Sequence, residues 1–423
     1  MAQNKVLARI LDFYLKSSDF NGIAIFNLAA EFQFKQARLE KVLASLIRSQ
    51  KITLVFASHS MNPHIKRIAD LSIEQQLAKV ESESPDTCCA YPTEAVIRQA
   101  IDISAYDDRP FTKRILLAEP HLTSVFFGLD VLDKYYRDPR YHFDFGNFGG
   151  SIGITTEHYK SGDVEEKDKI VLESFGIGYD KSRRYRVVVA YLRYLSRLSS
   201  EHQQMWNIHI VDEACVMNSD YERATIWGNW PEYHSVYEAF CHEQAELNKL
   251  AALIVKPPLF KQTFEEKHPE GFMPMLRPTK RNFHEFVQIL DKMLSENINH
   301  AFFEGDFALE EKVVQPDGSI EIQRIGTLQA LEKWLSQYYR AQDGADVARE
   351  VLEPLREIRR LRQKPAHGLQ EDEYDRSYPK TQDELLGRAC RALTSLRLIF
   401  SSHPKAKDYE PPEWLDSDRI VFY

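Results

Sequence analysis

The sequence predicts an α+β fold in which helices predominate, and three observations support this prediction. Apolar residues recur at helical spacing over roughly the first fifty residues and again over most of the last third. Between these regions, aromatic and Gly-rich stretches alternate in the manner of strands. Polar or proline-rich stretches separate the regions from one another. We therefore predict an N-terminal domain over 1–72, a central α+β domain over 90–262, a helical bundle over 278–403 and a tail over 404–423.

The composition is that of a folded chain without an extreme charge. Hydrophobic residues make up 43% and charged residues 28% of the 423 residues, which is ordinary for a globular protein. The net charge of −9 argues against a surface that coats nucleic acid everywhere, although it permits a local basic patch. The five cysteines form no CxxC pair, which favours reduced thiols. Without a secretory signal pattern or an apolar run of roughly 18 residues, we expect a cytoplasmic protein with no membrane partner.

The first 72 residues are predicted to form three helices, a strand and a hairpin tip. The helices cover residues 7–14, 25–32 and 36–49, and the strand covers 52–56. The hairpin tip is predicted at 58–63 because it is polar and ends in proline. This order resembles a winged helix-turn-helix domain, which implies contact with DNA or with a protein partner, and both alternatives remain open. The residues that would contact nucleic acid are basic and cluster in the third helix: Lys35, Arg38, Lys41 and Arg48.

The central region gives mixed signals and no topology. We predict helices over 94–103, 122–136, 185–198 and 235–253, and strands within 141–156, 169–175 and 206–211. The Gly-rich run at 176–182 lacks the spacing of a phosphate-binding P-loop. The histidines and carboxylates near 209–213 and 234–242 match no HExxH or CxxC pattern, so we predict neither a metal site nor a cofactor. Because it carries no chemistry of its own, we expect this domain to sense a trigger or to restrain another domain.

The C-terminal third predicts a bundle of four helices. Apolar residues recur at helical spacing over 283–294, 327–339, 347–361 and 385–399. The Asp317-Gly318 pair lies between two short β-prone runs and predicts a type I′ hairpin turn. A long connection over 368–380 separates the last two helices, as helical bundles allow. The tail ends on Ile420-Val421-Phe422-Tyr423, which we expect to dock on a neighbouring surface.

The most specific chemistry lies where the third of these helices ends. There the sequence runs Arg359-Arg360-Leu361-Arg362-Gln363-Lys364-Pro365-Ala366-His367. An arginine can hold a phosphate without losing its charge, and a histidine can move a proton near neutral pH. Arginine followed five positions later by histidine also occurs at 137 and 197, so the position within the bundle singles out Arg362. The structural alternative stays open, because basic residues also stabilise the negative end of a helix.

The predicted bundle resembles the HEPN superfamily over roughly residues 280–403, because it places an Arg, a polar residue and a His at the end of a helix. The resemblance implies a metal-independent endoribonuclease that uses the ribose 2′-hydroxyl as nucleophile and leaves a 2′,3′-cyclic phosphate. It implies that His367 acts as general acid or base, Arg362 stabilises the transition state, and Gln363 orients the phosphate or the histidine. It also implies a homodimer and a role as a bacterial antiviral, abortive-infection or toxin effector. The residues that would hold the RNA backbone are Arg359, Arg360 and Lys364.

A non-enzymatic regulator is the alternative. In that case the N-terminal domain would bind DNA or a protein partner, and the bundle would serve only for dimerisation. The arginines at the helix end would then be a solvated helix face. The two hypotheses differ in whether replacing His367 changes RNA cleavage.

Overall fold

The computed structural model describes residues 2–60, 62–67, 70–84, 87–162, 164–182, 185–314, 320–339, 347–363 and 371–422. Helices make up 51% and strands 16% of the structure, which confirms a mixed α+β fold that is predominantly helical. The chain divides into two compact units, Met1–Asn229 and Trp230–Tyr423. None of the helices in the described ranges combines the length and the apolar character that crossing a bilayer requires.

The first unit begins with helices around a small sheet. Its elements are α1 (Ala2–Lys16), β1 (Ile23–Ala24), α2 (Ile25–Glu31), α3 (Gln36–Arg48), β2 (Ile52–Phe56), α4 (Ile73–Ser82) and β3 (Cys88–Pro92). The three strands are antiparallel in the order β1-β3-β2, with Ile23 opposite Ala90 and Leu54 opposite Ala90 on its other side. Apolar residues at helical spacing, such as Val6, Ile10 and Leu43, pack on this sheet. The three predicted helices and the predicted strand are therefore present.

The sheet extends beyond the boundary that we predicted at residue 72. The partner of β2 is β3, not a strand that returns directly after residues 58–63. Between the two strands lies α4, which begins at a capping box: Ser72 accepts from the Gln75 backbone N–H, and the Gln75 side chain accepts from the Ser72 N–H. Sequence patterns missed β3 because all five of its residues are buried, so it shows no alternation.

The remainder of the first unit contains a six-stranded antiparallel sheet. Its strands are β4 (Ser124–Phe127), β5 (Tyr141–Gly146), β6 (Gly149–Ile154), β7 (Val171–Asp180), β8 (Arg186–Tyr191) and β9 (Cys215–Met217). The order is β4-β8-β7-β6-β5, and β9 also pairs with β7. The helices are α5 (Glu94–Ala100), α6 (Pro110–Leu116), α7 (Asp133–Arg137), α8 (Thr156–Ser161), α9 (Leu192–Leu195), α10 (Ser200–Asn207) and α11 (Ser219–Trp227).

Three predictions for this region are wrong. The helix expected over 122–136 is strand β4 followed by a 3-10 turn and the short α7, and the helix expected over 185–198 is strand β8 followed by the short α9. The strand expected over 206–211 is the end of α10 and a single β-bridge between Phe127 and Ile210. Strand β8 pairs on both sides and is almost wholly buried, so its apolar run has no period of two. Such a run cannot be told from a buried helix by periodicity.

The second unit is a helical assembly with two small sheets. Its helices are α12 (Val236–Leu253), α13 (Lys280–Met293), α14 (Thr327–Tyr338), α15 (Val347–Gln363) and α16 (Tyr378–Ser401). Its strands are β10 (His234–Ser235), β11 (Glu310–Val314), β12 (Ile320–Arg324) and β13 (Ile420–Val421). The predicted hairpin exists, with Lys312 opposite Ile322, whereas its Asp317-Gly318 turn lies outside the described residues. The tail docks as expected, because β13 pairs in parallel with β10.

Helix α12 differs from its predicted place in the central domain. It packs against α16 inside the core of the second unit, together with residues such as Leu386 and Leu393. Buried residues occupy nearly all sides of α12, from Val236 to Ala251. A helix that is surrounded in this way needs a larger core than one flank of a sheet provides. The four predicted bundle helices, α13 to α16, are all present and share this core.

Candidate functional site

The predicted catalytic arginine lies near the end of α15. Apolar residues Leu352, Leu355 and Ile358 are buried on one side of this helix and fix its orientation in the core. Arg359 and Arg362 are three positions apart and therefore lie on the same side as each other. That side faces the C-terminal end of α13, where the helix dipole is negative. The spacing of Arg359 and Arg362 thus places two cations beside the negative end of α13, which attracts them.

Arg362 is held by two carboxylates. Its Nη1 atom donates to Asp291 Oδ2 at 2.7 Å and also to Glu296 Oε1. These hydrogen bonds, first that to Asp291 and then that to Glu296, raise the pKa of the Arg362 guanidinium above its usual value. Its side chain is 32% exposed. Arg362 is therefore anchored by its own chain without being buried.

Asp291, which binds Arg362, belongs to a buried cluster of polar side chains. Asp291 and Ser295 are both fully buried, and the Ser295 hydroxyl donates to Asp291 Oδ1. The Ser295 hydroxyl accepts from Arg359 Nη1 at 3.0 Å. The Ser295 carbonyl accepts from Thr327 Oγ1 at 2.6 Å, which connects the cluster to α14. A buried carboxylate requires charge and hydrogen-bond partners, so the loss of the Arg362 contact would leave the Asp291 charge partly uncompensated. This cost holds Arg362 in place.

One side of the Arg362 guanidinium remains available. Both carboxylates bind Nη1, and neither Nε nor Nη2 has a hydrogen-bond partner among the residues that the structure describes. Nε and one Nη2 hydrogen form the side-on pair of donors that binds phosphate in a bidentate manner. A phosphate could therefore approach Arg362 from this side. The charge of the two carboxylates opposes that approach.

The other residues predicted around the motif differ in their surroundings. Arg360 is largely exposed and donates to Glu353 Oε1 at 2.6 Å, on its own helix. Gln363 is exposed and is the last residue of α15. Lys364 and His367 lie outside the described residues, so the approach of Arg362 to His367 stays a prediction.

In the two other Arg–His pairs of the same spacing, both arginines and the buried histidine contact neighbouring side chains, whereas His142 is exposed. Arg197 donates to Asp19 Oδ2 at 2.6 Å, and Arg137 donates to Asp133 on its own helix. His202 is buried, its Nδ1 lies 2.6 Å from the Tyr135 hydroxyl, and burial lowers its pKa to about 4. Their contacts are therefore those of packed or paired side chains.

The basic residues predicted for nucleic-acid contact lie along α3. All four, Lys35, Arg38, Lys41 and Arg48, are exposed. The Arg38 guanidinium stacks over the Phe34 ring at 4.8 Å from its centroid. None of the four forms an ion pair with another residue in the described part of the chain. This helix therefore presents uncompensated positive charge to solvent.

Among the residues that we considered as metal ligands, the histidines contact other side chains. His209 pairs with Asp130, and His234 pairs with Glu238 at 2.9 Å and stacks on Trp414. Within the described ranges, no three His, Cys, Asp or Glu side chains gather as a metal ion would require.

Sequence reasoning missed Asp291, Ser295 and Glu296. A signal for Asp291 was present, because it follows Leu290 on the apolar side of α13 that also carries Phe283 and Val287. A carboxylate at such a position must be paired, and a cationic partner should therefore be sought in another helix. Glu296 carries no comparable signal, since it lies in a polar turn.

No family model, curated protein or solved structure matches this chain. The resemblances to the HEPN superfamily and to a winged helix-turn-helix domain therefore rest on the residues quoted for them. For the C-terminal unit, the residues that carry the resemblance are Arg362 and Gln363, which end α15, and His367, which follows them in the sequence.

Proposed function

We propose that this chain is a metal-independent endoribonuclease of HEPN type, acting as a homodimer. The RNA 2′-hydroxyl would lose its proton and attack the adjacent phosphorus, the P–O5′ bond would break, and the 5′-oxygen would leave as a protonated hydroxyl, so that one fragment ends in a 2′,3′-cyclic phosphate and the other begins with a 5′-hydroxyl. Because the nucleophile belongs to the substrate, the protein has to supply only proton transfer and charge stabilisation. We further propose that it is a bacterial antiviral or abortive-infection effector of the cytoplasm.

One observation carries the proposal: Arg362 is anchored through Nη1 while its Nε and Nη2 donors have no partner in the described residues. An anchored arginine loses little conformational freedom when it binds phosphate, which is what preorganised charge stabilisation needs. In the proposed mechanism Arg362 stabilises the charge that builds on the phosphorus oxygens. His367 moves the proton, and Gln363 orients the phosphate. Arg359, Arg360 and Lys364 are proposed to hold the RNA backbone.

Cleavage of single-stranded RNA in EDTA tests the proposal. Wild-type protein should produce fragments that end in a 2′,3′-cyclic phosphate, identified by mass spectrometry. We expect Arg362→Ala and His367→Ala each to lower the rate by roughly 100-fold or more, the scale of a lost acid–base or electrostatic group. Arg356→Ala is the matched control, because Arg356 lies on the same helix and pairs with Glu332 instead.

Two results would refute the proposal. One is the absence of cleavage by the wild type. The other is equal cleavage by the wild type and by His367→Ala, which would mean that a contaminating nuclease produces the fragments. A decrease caused by Arg356→Ala as large as that caused by Arg362→Ala would indicate general destabilisation of α15 rather than a local role.

The second candidate function is a nucleic-acid-binding regulator, favoured by the exposed and unpaired basic residues of α3. They lie beside a three-stranded sheet of order β1-β3-β2, following the helix order expected for a winged helix-turn-helix domain. In that proposal α3 would contact phosphates and groove edges of DNA. The two functions are compatible in one chain.

A further inference from the structure

The two carboxylates on Arg362 are unequal, and the difference concerns regulation of the proposed ribonuclease site. Asp291 has no exposed side-chain surface, whereas the Glu296 side chain is 41% exposed. Asp291 is also tied to Ser295, which in turn is bound by Arg359. Asp291 therefore cannot leave Arg362 without stranding a buried charge, but Glu296 can turn into solvent at small cost.

The position of Glu296 in the chain supports this distinction. Helix α13 ends at Met293, so Glu296 lies in the turn that follows it. Its backbone is fixed, because its N–H donates to the Asp291 carbonyl at 3.2 Å and its carbonyl accepts from Lys261 Nζ at 2.6 Å. The carboxylate stands on a fixed backbone and can rotate away from Arg362 without any change in the fold.

We propose that Glu296 is an internal competitor of the RNA phosphate for Arg362, and that it restrains the site until substrate displaces it. This inference rests on the proposed ribonuclease function. With both carboxylates in place, one positive charge is already opposed by two negative charges, and a phosphate would add a third. When Glu296 turns away, Arg362 and Asp291 form a neutral pair that a phosphate can join.

Displacement would also enlarge the binding surface of Arg362. While Glu296 occupies Nη1, the Arg362 donors without a partner among the described residues are Nε and Nη2. Its departure frees one Nη1 hydrogen, which a phosphate oxygen could then accept. The pentacoordinate transition state carries more charge on its oxygens than the ground state. The freed donor would therefore favour the transition state as well as binding.

Glu296→Gln tests the inference, because glutamine keeps a side-chain oxygen that can accept from Arg362 but has no charge. The probe for binding is a short single-stranded RNA with 2′-O-methyl groups, which cannot be cleaved by 2′-hydroxyl attack. Removal of a competing ion pair worth up to about 1 kcal/mol should tighten binding about two- to fivefold. Cleavage of the corresponding ribose RNA should become faster by at least the same factor. The matched control is Glu332→Gln, which releases Arg356 of the same helix and should change either quantity only by the small general effect of removing one negative charge.

The Arg362→Ala background shows whether the effect passes through Arg362. There, Glu296→Gln should no longer tighten binding beyond the general effect of removing one negative charge, which Glu332→Gln measures. Equal binding by Glu296→Gln and the wild type, or weaker binding by Glu296→Gln, would overturn the inference. The failure of the proposed function looks different: no variant would cleave ribose RNA, while the binding comparison would still decide the role of Glu296.

Discussion

A buried ion pair in the second unit yields the sharpest prediction of stability. Arg397 on α16 and Glu243 on α12 are each only 1% exposed. Arg397 Nε donates to Glu243 Oε2 at 2.7 Å and Nη2 donates to Oε1 at 3.3 Å, so the pair is bidentate. Thr394 Oγ1 donates to Glu243, and Arg397 also binds Asp416 in the tail. Despite these partners, burial raises the pKa of Glu243, which shows that desolvation of this carboxylate is costly.

Arg397→Ala would leave the Glu243 charge buried without its cation. Breaking a buried pair in this way costs about 3–5 kcal/mol. For a unit of this size each kcal/mol lowers the Tm by about 2–4 °C, so the expected decrease is about 6–20 °C. Arg388→Ala is the matched control, because Arg388 lies on the same helix and forms a bidentate pair with Glu357, but its side chain is 42% exposed. Loss of that exposed pair should cost no more than about 1 kcal/mol.

Scanning calorimetry of the full chain, together with denaturant unfolding, measures both variants. A third variant separates charge from packing: Arg397→Met combined with Glu243→Leu replaces both charges by apolar groups of similar length. It should recover most of the stability that Arg397→Ala loses. The reasoning would be wrong if Arg397→Ala and Arg388→Ala had equal effects. It would also be wrong if the double variant were as unstable as Arg397→Ala.

Two further predictions concern the first unit. Burial lowers the pKa of His202 from 6.5 to about 4. As the pH falls below 6.5, the unfolded chain binds a proton at this histidine but the folded chain does not. The free energy of unfolding should therefore decrease below pH 6.5, by about 2 kcal/mol at pH 5. His202→Gln should remove this part of the pH dependence of unfolding, whereas the control His142→Gln, at an exposed position, should not. If the free energy of unfolding had the same slope against pH in the wild type and in His202→Gln, the assignment to His202 would be wrong. If α3 contacts DNA, Arg38→Ala and Lys41→Ala should each reduce the slope of log K against log salt concentration, measured by DNA mobility shift, by about the amount that one phosphate contact contributes. Unchanged slopes would exclude this helix as the contact surface.

The sequence predicts those elements whose buried side is a narrow stripe. Helices α1, α3, α13 and α15 all have this character; the predicted and observed bounds agree closely for α3, α13 and α15, whereas α1 is longer at both ends than the predicted 7–14. Amphipathic helices are recognisable because the same few positions in each turn face the core. Where burial surrounds an element, as in β8 and α12, the sequence retains an apolar run but loses the pattern that identifies its structure or its domain.

For the candidate site, the sequence predicts the motif on α15 but not the carboxylates that bind it. Arg362 and its neighbours are contiguous in sequence, so a local motif could single them out. The carboxylate partners of Arg362 come from the last turn of α13 and from the turn that follows it, about seventy positions earlier. Nothing in a local pattern specifies which helices pack together. Asp291 could have been noticed as a charge on an apolar helix side. Its pairing with Arg362 rather than with another cation depends on the packing of α13 against α15.

The packing suggests a second source of restraint for the proposed ribonuclease site, beside the one expected from the sequence. From the sequence, the central domain was the part expected to restrain the bundle, since it carries no chemistry of its own. Around the end of α15, the three cations Arg359, Arg360 and Arg362 face three carboxylates, those of Asp291, Glu296 and Glu353. Among these six side chains the three positive and three negative charges balance, which weakens their combined long-range attraction for RNA, and the net charge of −9 of the whole chain adds a general repulsion. In the proposed mechanism, the restraint on RNA binding would therefore lie within the second unit, and displacement of Glu296 from Arg362 would release it.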